Sequence, residues 1–406
     1  FFIHSQAFTM TTGIIFPANQ ATGLAKAITI KYTKYASRLS QRCSYAKSCS
    51  LRRFSEKYHT LPPDHPSNTP PKFPLTHYPG KTKRIPTISV PPLPPFCASP
   101  NFNQNEITQR ERQEVQHQLE IANAMKPAYA SQTPLHLRRL FSHADAIYFW
   151  RSLDYWRVAV DKNIPVDVEI GKSYNAGKRV GMTFGEYLDY LEVCVGEEEL
   201  EYRRSRNMID GKSVESGQPI EIQQSSRYRK RHELAYLAQN ELFPQVQNDI
   251  PLPYFCHHAN DPRFKDVGEG KLYHTMFWMG PGNTISPLHY DPLDNLLVQV
   301  VGWKRVLLFP PNGHDNRFHG GDVKRHRNGG NEGDSEKSPF EGALWQYAGV
   351  DGNQYNTSAV DIEQPDYEKY PDFALAPTPY ECLLGPGDAV FIPKKWWHHV
   401  RSFEFS

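Results

Sequence analysis

From Leu272 onward the chain is cut into short apolar runs by glycine and proline turns: "LYHTMFWMGPGNTIS", "NLLVQVVGWKRVLLFPP" and "YECLLGPGDAVFIPKKWWHHVRSF". Short strands punctuated in this way favour a sandwich or barrel over a parallel sheet. With 39% hydrophobic and 13% aromatic residues the chain can fill such a core. Inside "SPLHYDPLDNLLVQVVGWKRVLLFPP", Ser286 to Pro311, His289 and Asp291 interrupt the apolar pattern two residues apart. A strand alternates its side chains, so both point the same way. Burying a neutral polar group without a partner costs roughly 2–7 kcal/mol, and a charge costs more. A metal ion is one partner that would offset that cost.

Upstream the pattern changes. "NEITQRERQEVQHQLEIANAMKP" reads as a helix that stops near Pro127. "TPLHLRRLF", "DAIYFWRSLDYWRVAVD" and "MTFGEYLDYLEVCVG" carry helical apolar spacing, and "IPVDVEIG" is a short strand ending at Gly171. Residues 200–230 are polar and read as an inserted loop. A second insertion, 312–342, is rich in Gly and His; that composition fits a surface loop better than a metal site. The expected folded region is therefore 106–406, a helical part followed by a β core at about 230–406.

Residues 1–100 differ from the rest, with thirteen Lys and Arg against only two acids, Glu56 and Asp64. The basic, Ser-rich stretch 1–60 has the composition of a mitochondrial presequence, with a processing-like "RRFS" at Arg52 to Ser55. The alternative is a basic tail kept by a nuclear or cytoplasmic protein, as a nucleic-acid arm. Residues 61–105 read as a proline-rich linker. Whole-chain net charge is +2, which by itself points to no nucleic-acid partner. The six cysteines form no CxxC pair and fit neither a zinc knuckle nor a disulfide framework. No apolar run reaches the ~18–20 residues that span a bilayer.

The case for metal grows downstream. "LLGPGDAVFIPKKWWHHV" is a tight glycine turn, a strand, two tryptophans and then His398 and His399. In a double-stranded β-helix such a unit returns a late histidine to face an earlier HxD. Two histidines and a carboxylate on one side of an octahedral ion form the facial triad of non-heme Fe(II) oxygenases, which leaves positions open for a chelating co-substrate and O₂. Neighbours on a strand face opposite sides, so only one of His398 and His399 can point inward. Periodicity alone does not choose between them.

From about Asp154 to Ser406 the chain resembles the JmjC-domain 2-oxoglutarate oxygenases of the cupin superfamily, and is most similar there to the small JmjC hydroxylases, the branch of the JmjC-domain-5 protein. The matching stretches are "IPVDVEIG", "YLAQNELFPQ", "FWMGPGNTISPLHYDPLDNLLVQVVGWK" and "NTSAVDIEQPDYEKYPDFALAPTPYECLLGPGDAVFIPKKWWHHVRSF", in the family's order. The resemblance implies a mainly β fold with flanking helices, a double-stranded β-helix (cupin or jelly-roll) barrel. Because the chain stops at Ser406, the family pattern leaves that barrel short of its last strand. It implies His289, Asp291 and His398 as iron ligands, with His399 turned away. Lys304 takes the position that pairs with the far carboxylate of 2-oxoglutarate, a charge-assisted contact; Arg305 is the competing inward residue. Asn295 and Tyr236 match positions that hydrogen-bond the co-substrate, and Trp278 and Ser286 match residues at the pocket mouth. Glu169 matches an acidic residue near the substrate entrance, suited to an Arg or Lys side chain, although Asp167 is a second acid at the same parity. The implied reaction is hydroxylation of a protein or peptide side chain, using Fe(II), 2-oxoglutarate and O₂. Alternatives are a tRNA-modifying hydroxylase acting on RNA, a histone demethylase, and a non-catalytic cupin that binds a partner.

Overall fold

The computed structural model describes residues 2–5, 78–91, 104–171, 179–209, 234–256, 261–264, 266–268, 272–311 and 356–406. All of them lie in one compact unit, 1–6 with 66–406. The strands, in chain order, are β1 (Phe2–Ser5), β2 (Lys83–Arg84), β3 (Thr87–Ser89), β4 (Leu135–Arg138), β5 (Pro165–Ile170), β6 (Arg179–Thr183) and β7 (Ala235–Glu241). They continue as β8 (Leu272–Met279), β9 (Ile285–Tyr290), β10 (Asp294–Val298), β11 (Lys304–Phe309), β12 (Tyr380–Leu384), β13 (Ala389–Ile392) and β14 (Trp397–Ser402). The helices are α1 (Gln104–Ser131), α2 (Asp145–Phe149), α3 (Leu153–Ala159) and α4 (Phe184–Ile209).

The strands form two sheets. The larger runs β3-β4-β13-β10-β1-β8-β7-β5-β6, and the smaller runs β2-β12-β11-β14-β9. This is the mainly β, cupin-like arrangement that the sequence predicts, with the two sheets open rather than closed into a barrel. On the large sheet β1 occupies the position between β8 and β10, antiparallel to both.

Three apolar layers hold the sheets. Leu297, Val390 and Ile392 of the large sheet meet Val306, Leu308, Leu384 and Val400 of the small one. The opposite face of the large sheet, through Leu237, Phe277, Leu296 and Phe391, packs on the helices, where Trp156, Phe184, Tyr187 and Leu188 are buried. The outer face of the small sheet, Leu288, Leu307, Phe309 and Trp397, is covered by Val360, Ile362 and Phe373. Both faces of β10 and β11 are thus buried, which is why their sequences read as continuous apolar runs instead of alternating ones.

Several expectations change. Residues 61–105 are not linker throughout: Lys83–Arg84 and Thr87–Ser89 are strands, with Ile85 and Val90 buried. Both strands lie at sheet edges, where proline is tolerated because one side of the backbone needs no ladder partner. "TPLHLRRLF" holds strand β4 rather than a helix, since pairing with both β3 and β13 overrides its local spacing. Helix α1 does not stop at Pro127 but continues to Ser131. Burial of Ile121, Ala122, Met125 and Ala128 on one face outweighs the backbone donor lost at the proline. Helix α4 extends to Ile209, into the stretch expected as a loop. The rest of that loop, the insertion 312–342, and most of residues 1–60 lie outside the described residues. No helix among the described residues is long and apolar enough to cross a membrane.

Candidate metal and co-substrate site

His289 and His398 face each other directly across the β9–β14 pair. Their rings lie 4.1 Å apart between centroids, tilted by 54°. Asp291, just past the end of β9, brings Oδ2 to 3.6 Å from Nε2 of His398. One donor atom from each of the three residues lies within 4.8 Å of the others. His289 Nδ1 is 2.7 Å from the carbonyl of Pro287, and His398 Nδ1 is 3.0 Å from that of Trp396. A carbonyl only accepts, so each Nδ1 carries the proton and each Nε2 presents its lone pair. That tautomer, fixed by a backbone acceptor, is what a metal-binding imidazole requires. Two neutral imidazoles and a carboxylate fit a first-row divalent cation.

The backbone around the triad is braced from several sides. Asp291 Oδ2 accepts from the Asn295 amide at 2.6 Å, and its carbonyl accepts from Lys395 N–H. Asn356 and Ser358 pair with the backbone of β9, and Thr357 bridges His289. A register irregularity in the β9–β14 pair sets Ser286 opposite Val400 while His289 stays opposite His398. Ser286 and His289 consequently share a face, although they lie three positions apart.

Across β11 and β14, Leu308, Val306 and Lys304 lie opposite His398, Val400 and Ser402. Residues at every second position share a face, so Lys304 points to the same side as the triad. It is 5% exposed, and burial pulls its ammonium down to about 8. Among the described residues no carboxylate pairs with it, and the Tyr236 ring lies 6.0 Å from its Nζ. Tyr236 is itself buried, with side-chain hydrogen bonds to Thr284 and Ser286. Trp278 is half-buried against the layer between the sheets and lines one cavity together with Lys304.

The neighbouring residues take the opposite face. Arg305 turns outward, with Nε 2.6 Å from Glu381. His399 is buried 3.8 Å from Glu363, and burial together with Arg401 and Arg305 pulls it down to about 3, so it stays neutral. Glu363 also pairs with Arg401. Glu169 lies opposite Tyr236 in the β5–β7 pair, on the same side. Burial raises its carboxyl, opposed by Arg179. Asp167 shares its parity but is exposed, which separates the two acids.

The structure therefore brings together Tyr236, Ser286, His289, Asp291, Asn295, Lys304 and His398, with Trp278 and Glu169 adjoining. Sequence reasoning missed the buried Thr284–Ser402 hydroxyl pair, 2.7 Å apart, beneath Tyr236. Its signal was available, since Ser402 lies four residues past His398, at the same parity in a buried strand.

Residues 122–406 match the family model for a cupin-like domain. The chain is 31% identical over 275 residues to Jumonji C domain-containing protein 5 of Drosophila melanogaster, covering 66% of this chain and 51% of that protein. It is 28% identical over 301 residues to lysine-specific demethylase JMJ30 of Arabidopsis thaliana, covering 73% and 53%. It is also 29% identical over 163 residues to tRNA wybutosine-synthesizing protein 5 of Danio rerio, covering 40% and 36%. The chain spans about half the length of the first two relatives. With the match covering most of the chain and the His–Asp–His cluster in place, this chain belongs to the cupin-like domain family, in its JmjC branch.

Proposed function

We propose that this chain is an Fe(II)- and 2-oxoglutarate-dependent oxygenase that hydroxylates a cationic side chain, Arg or Lys, of a protein or peptide. The observation that carries the reading is Lys304, a buried ammonium with no carboxylate partner among the described residues, on the same sheet face as His398 of a two-histidine, one-carboxylate cluster. A buried charge without compensation costs several kcal/mol. A dianionic co-substrate would remove that cost, with Lys304 holding one of its carboxylates. When bound, iron, 2-oxoglutarate and O₂ supply the oxidising chemistry, decarboxylation to succinate coupled to insertion of oxygen into a C–H bond.

The chain's own residues position those groups. His289, Asp291 and His398 would hold the metal, and the Pro287 and Trp396 carbonyls fix both rings. Asn295 orients the Asp291 carboxylate, and its own amide oxygen is buried with no partner among the described residues, which leaves an acceptor open toward the site. Tyr236 is held by Thr284 and Ser286 against Lys304, and Trp278 closes the apolar side. Glu169 would receive the substrate's cation.

Anaerobic titration with Fe(II) and then 2-oxoglutarate tests the assignment. The expected result is a weak visible charge-transfer band that needs both additions. A band absent in the wild type, with iron bound, would leave a non-catalytic cupin. Incubation with arginine- and lysine-containing peptides, methylated lysine peptides and tRNA, scored by succinate formed above background, separates the substrate classes. Stimulation by tRNA alone overturns the protein-substrate part.

A further inference from the structure

β9 is the outermost strand of the smaller sheet, yet it carries His289. Its pairing with β14 is irregular beside that residue. His398 lies opposite His289 and Val400 opposite Ser286, so Pro287 and Leu288 together face the single residue His399. Two residues against one make a β-bulge, which disrupts the ladder locally. Proline suits a bulge, because it has no N–H to give the ladder. Register matters here: a slip of one residue turns every side chain to the other face, and would take His398 away from His289.

The segment 356–363 holds both strands. It first pairs with the free edge of β9. Tyr290 N–H donates to the Asn356 carbonyl, Ser358 N–H to that of Leu288, and Asn356 Nδ2 to that of Tyr290. It then covers the outer face of the sheet, with Val360 and Ile362 buried in one cluster with Leu288 and Trp397. Finally Glu363 meets β14, where Arg401 donates Nε to Oε1 and Nη2 to Oε2. This is the parallel two-oxygen fork of guanidinium and carboxylate. Both side chains are buried, 4% exposed for Arg401 and 8% for Glu363. Arg401 Nη1 also lies 3.4 Å from Oδ1 of Asn283, in the turn that leads into β9. His399 Nε2 is 3.8 Å from Glu363, too far for a hydrogen bond, so the fork does the holding. The segment thus has one anchor on each side of the bulge, Leu288 to Tyr290 on one and Arg401 on the other.

We propose that Glu363 is a positioning residue of the metal site: through Arg401 it locks the bulged β9–β14 pair in the register that sets His398 opposite His289. The inference rests on the reading of His289, Asp291 and His398 as a metal site, and on nothing about the substrate. Arg401 and His398 point to opposite faces of β14, so Glu363 acts on the metal only through the strand. A register fixed in advance lets both imidazoles meet an ion without rearrangement, which is where its affinity for metal arises.

The test is titration of the full chain with Co(II), read by calorimetry and by the visible d–d bands, without 2-oxoglutarate. Glu363→Gln alone would leave a buried guanidinium unpaired, which is strongly destabilising. The decisive variant is therefore Glu363→Leu with Arg401→Met, an apolar replacement that buried pairs often tolerate. It is expected to melt cooperatively yet to bind Co(II) about ten- to a hundredfold more weakly, the range for removing groups that orient metal ligands, with altered d–d bands. If it does not melt cooperatively, Glu363→Gln with Arg401→Gln takes its place, with the same loss expected. The control is the neighbouring pair, Arg305→Met with Glu381→Leu. It lies on the same face, but neither of its strands carries a metal ligand, and Co(II) binding should stay at the wild-type level. Wild-type affinity and bands in the Glu363 variant would show a strut that only supports the fold, and overturn the inference. An equal loss in the control overturns it too. A wild type that binds no Co(II) overturns the metal reading itself and the inference with it, a failure distinguishable from the other two because it appears before any substitution.

Discussion

His398 and His399 sit side by side yet have opposite fates, because a strand alternates. His289→Ala, Asp291→Ala and His398→Ala should each abolish iron binding in an equilibrium titration, whereas His399→Ala should retain it and lose only packing against Glu363. Iron lost with His399 and kept with His398 would shift the site by one residue. Lys304 yields a second prediction. Its folded value, about 8, lies below its ordinary 10.5, so between those pH values the unfolded chain holds a proton that the folded chain does not. Stability of the ligand-free protein therefore rises with pH across that window. The burial amounts to about 3 kcal/mol. Lys304→Met should flatten the rise and make the ligand-free protein more stable to urea at pH 7, while weakening 2-oxoglutarate steeply and sparing iron. In the wild type, 2-oxoglutarate affinity should fall about tenfold per pH unit above about 8, as the ammonium is lost. A dissociation constant indifferent to pH and to Lys304 would place the carboxylate contact elsewhere.

At the scale of elements, the site depends on turns and pins that carry no chemistry. Gly302 has φ +70 in the turn between β10 and β11, and a Cβ there would sit 2.3 Å from the Phe405 carbonyl. Gly302→Ala should destabilise the fold by about 1–3 kcal/mol from backbone strain alone, more with the clash, and weaken 2-oxoglutarate more than iron, since Lys304 is two residues away. Chemical denaturation and the two titrations together check this. Tyr187 of α4 is fully buried; its hydroxyl donates to the Met279 carbonyl and accepts from Leu237 N–H. It thereby pins β7 to β8 where their register shifts between Leu237 and Asn240. Tyr187→Phe leaves those backbone groups unmet and should cost about 1–3 kcal/mol. A variant as stable as wild type would mean the register is held by side-chain packing instead.

At the scale of the whole molecule, the N-terminal region enters the fold at two places. β2 and β3 extend the two sheets, so a chain beginning at Asn101 should lose the burial of Ile85 and Val90, roughly 3 kcal/mol or more, measurable as a lower unfolding midpoint. β1 pairs inside the large sheet. The proposed mitochondrial import, with a mature N-terminus near residues 54–60, keeps β2 and β3 but withdraws β1. N-terminal sequencing of the native protein should find that processed end. A terminus at Met10 would overturn import, and it too leaves β1 out.

Much of the site was legible because its chemistry is local. HxD spacing, a glycine turn before a late histidine, and a lysine in a buried apolar strand are each written in a few consecutive residues. Element types were legible where the apolar pattern was plain, as in the helical spacing of α4 and the short continuous run of β11. The sequence alone could not choose between His398 and His399 or between Lys304 and Arg305. Those choices depend on strand register, which is set by partners about ninety residues away, as when Leu308 meets His398. The proline-rich stretch at 83–90 was misread for the same reason, since an edge strand owes its existence to the sheet it joins. That Glu169 lies opposite Tyr236 was likewise invisible, because the two residues lie on strands whose adjacency only the folded sheet decides.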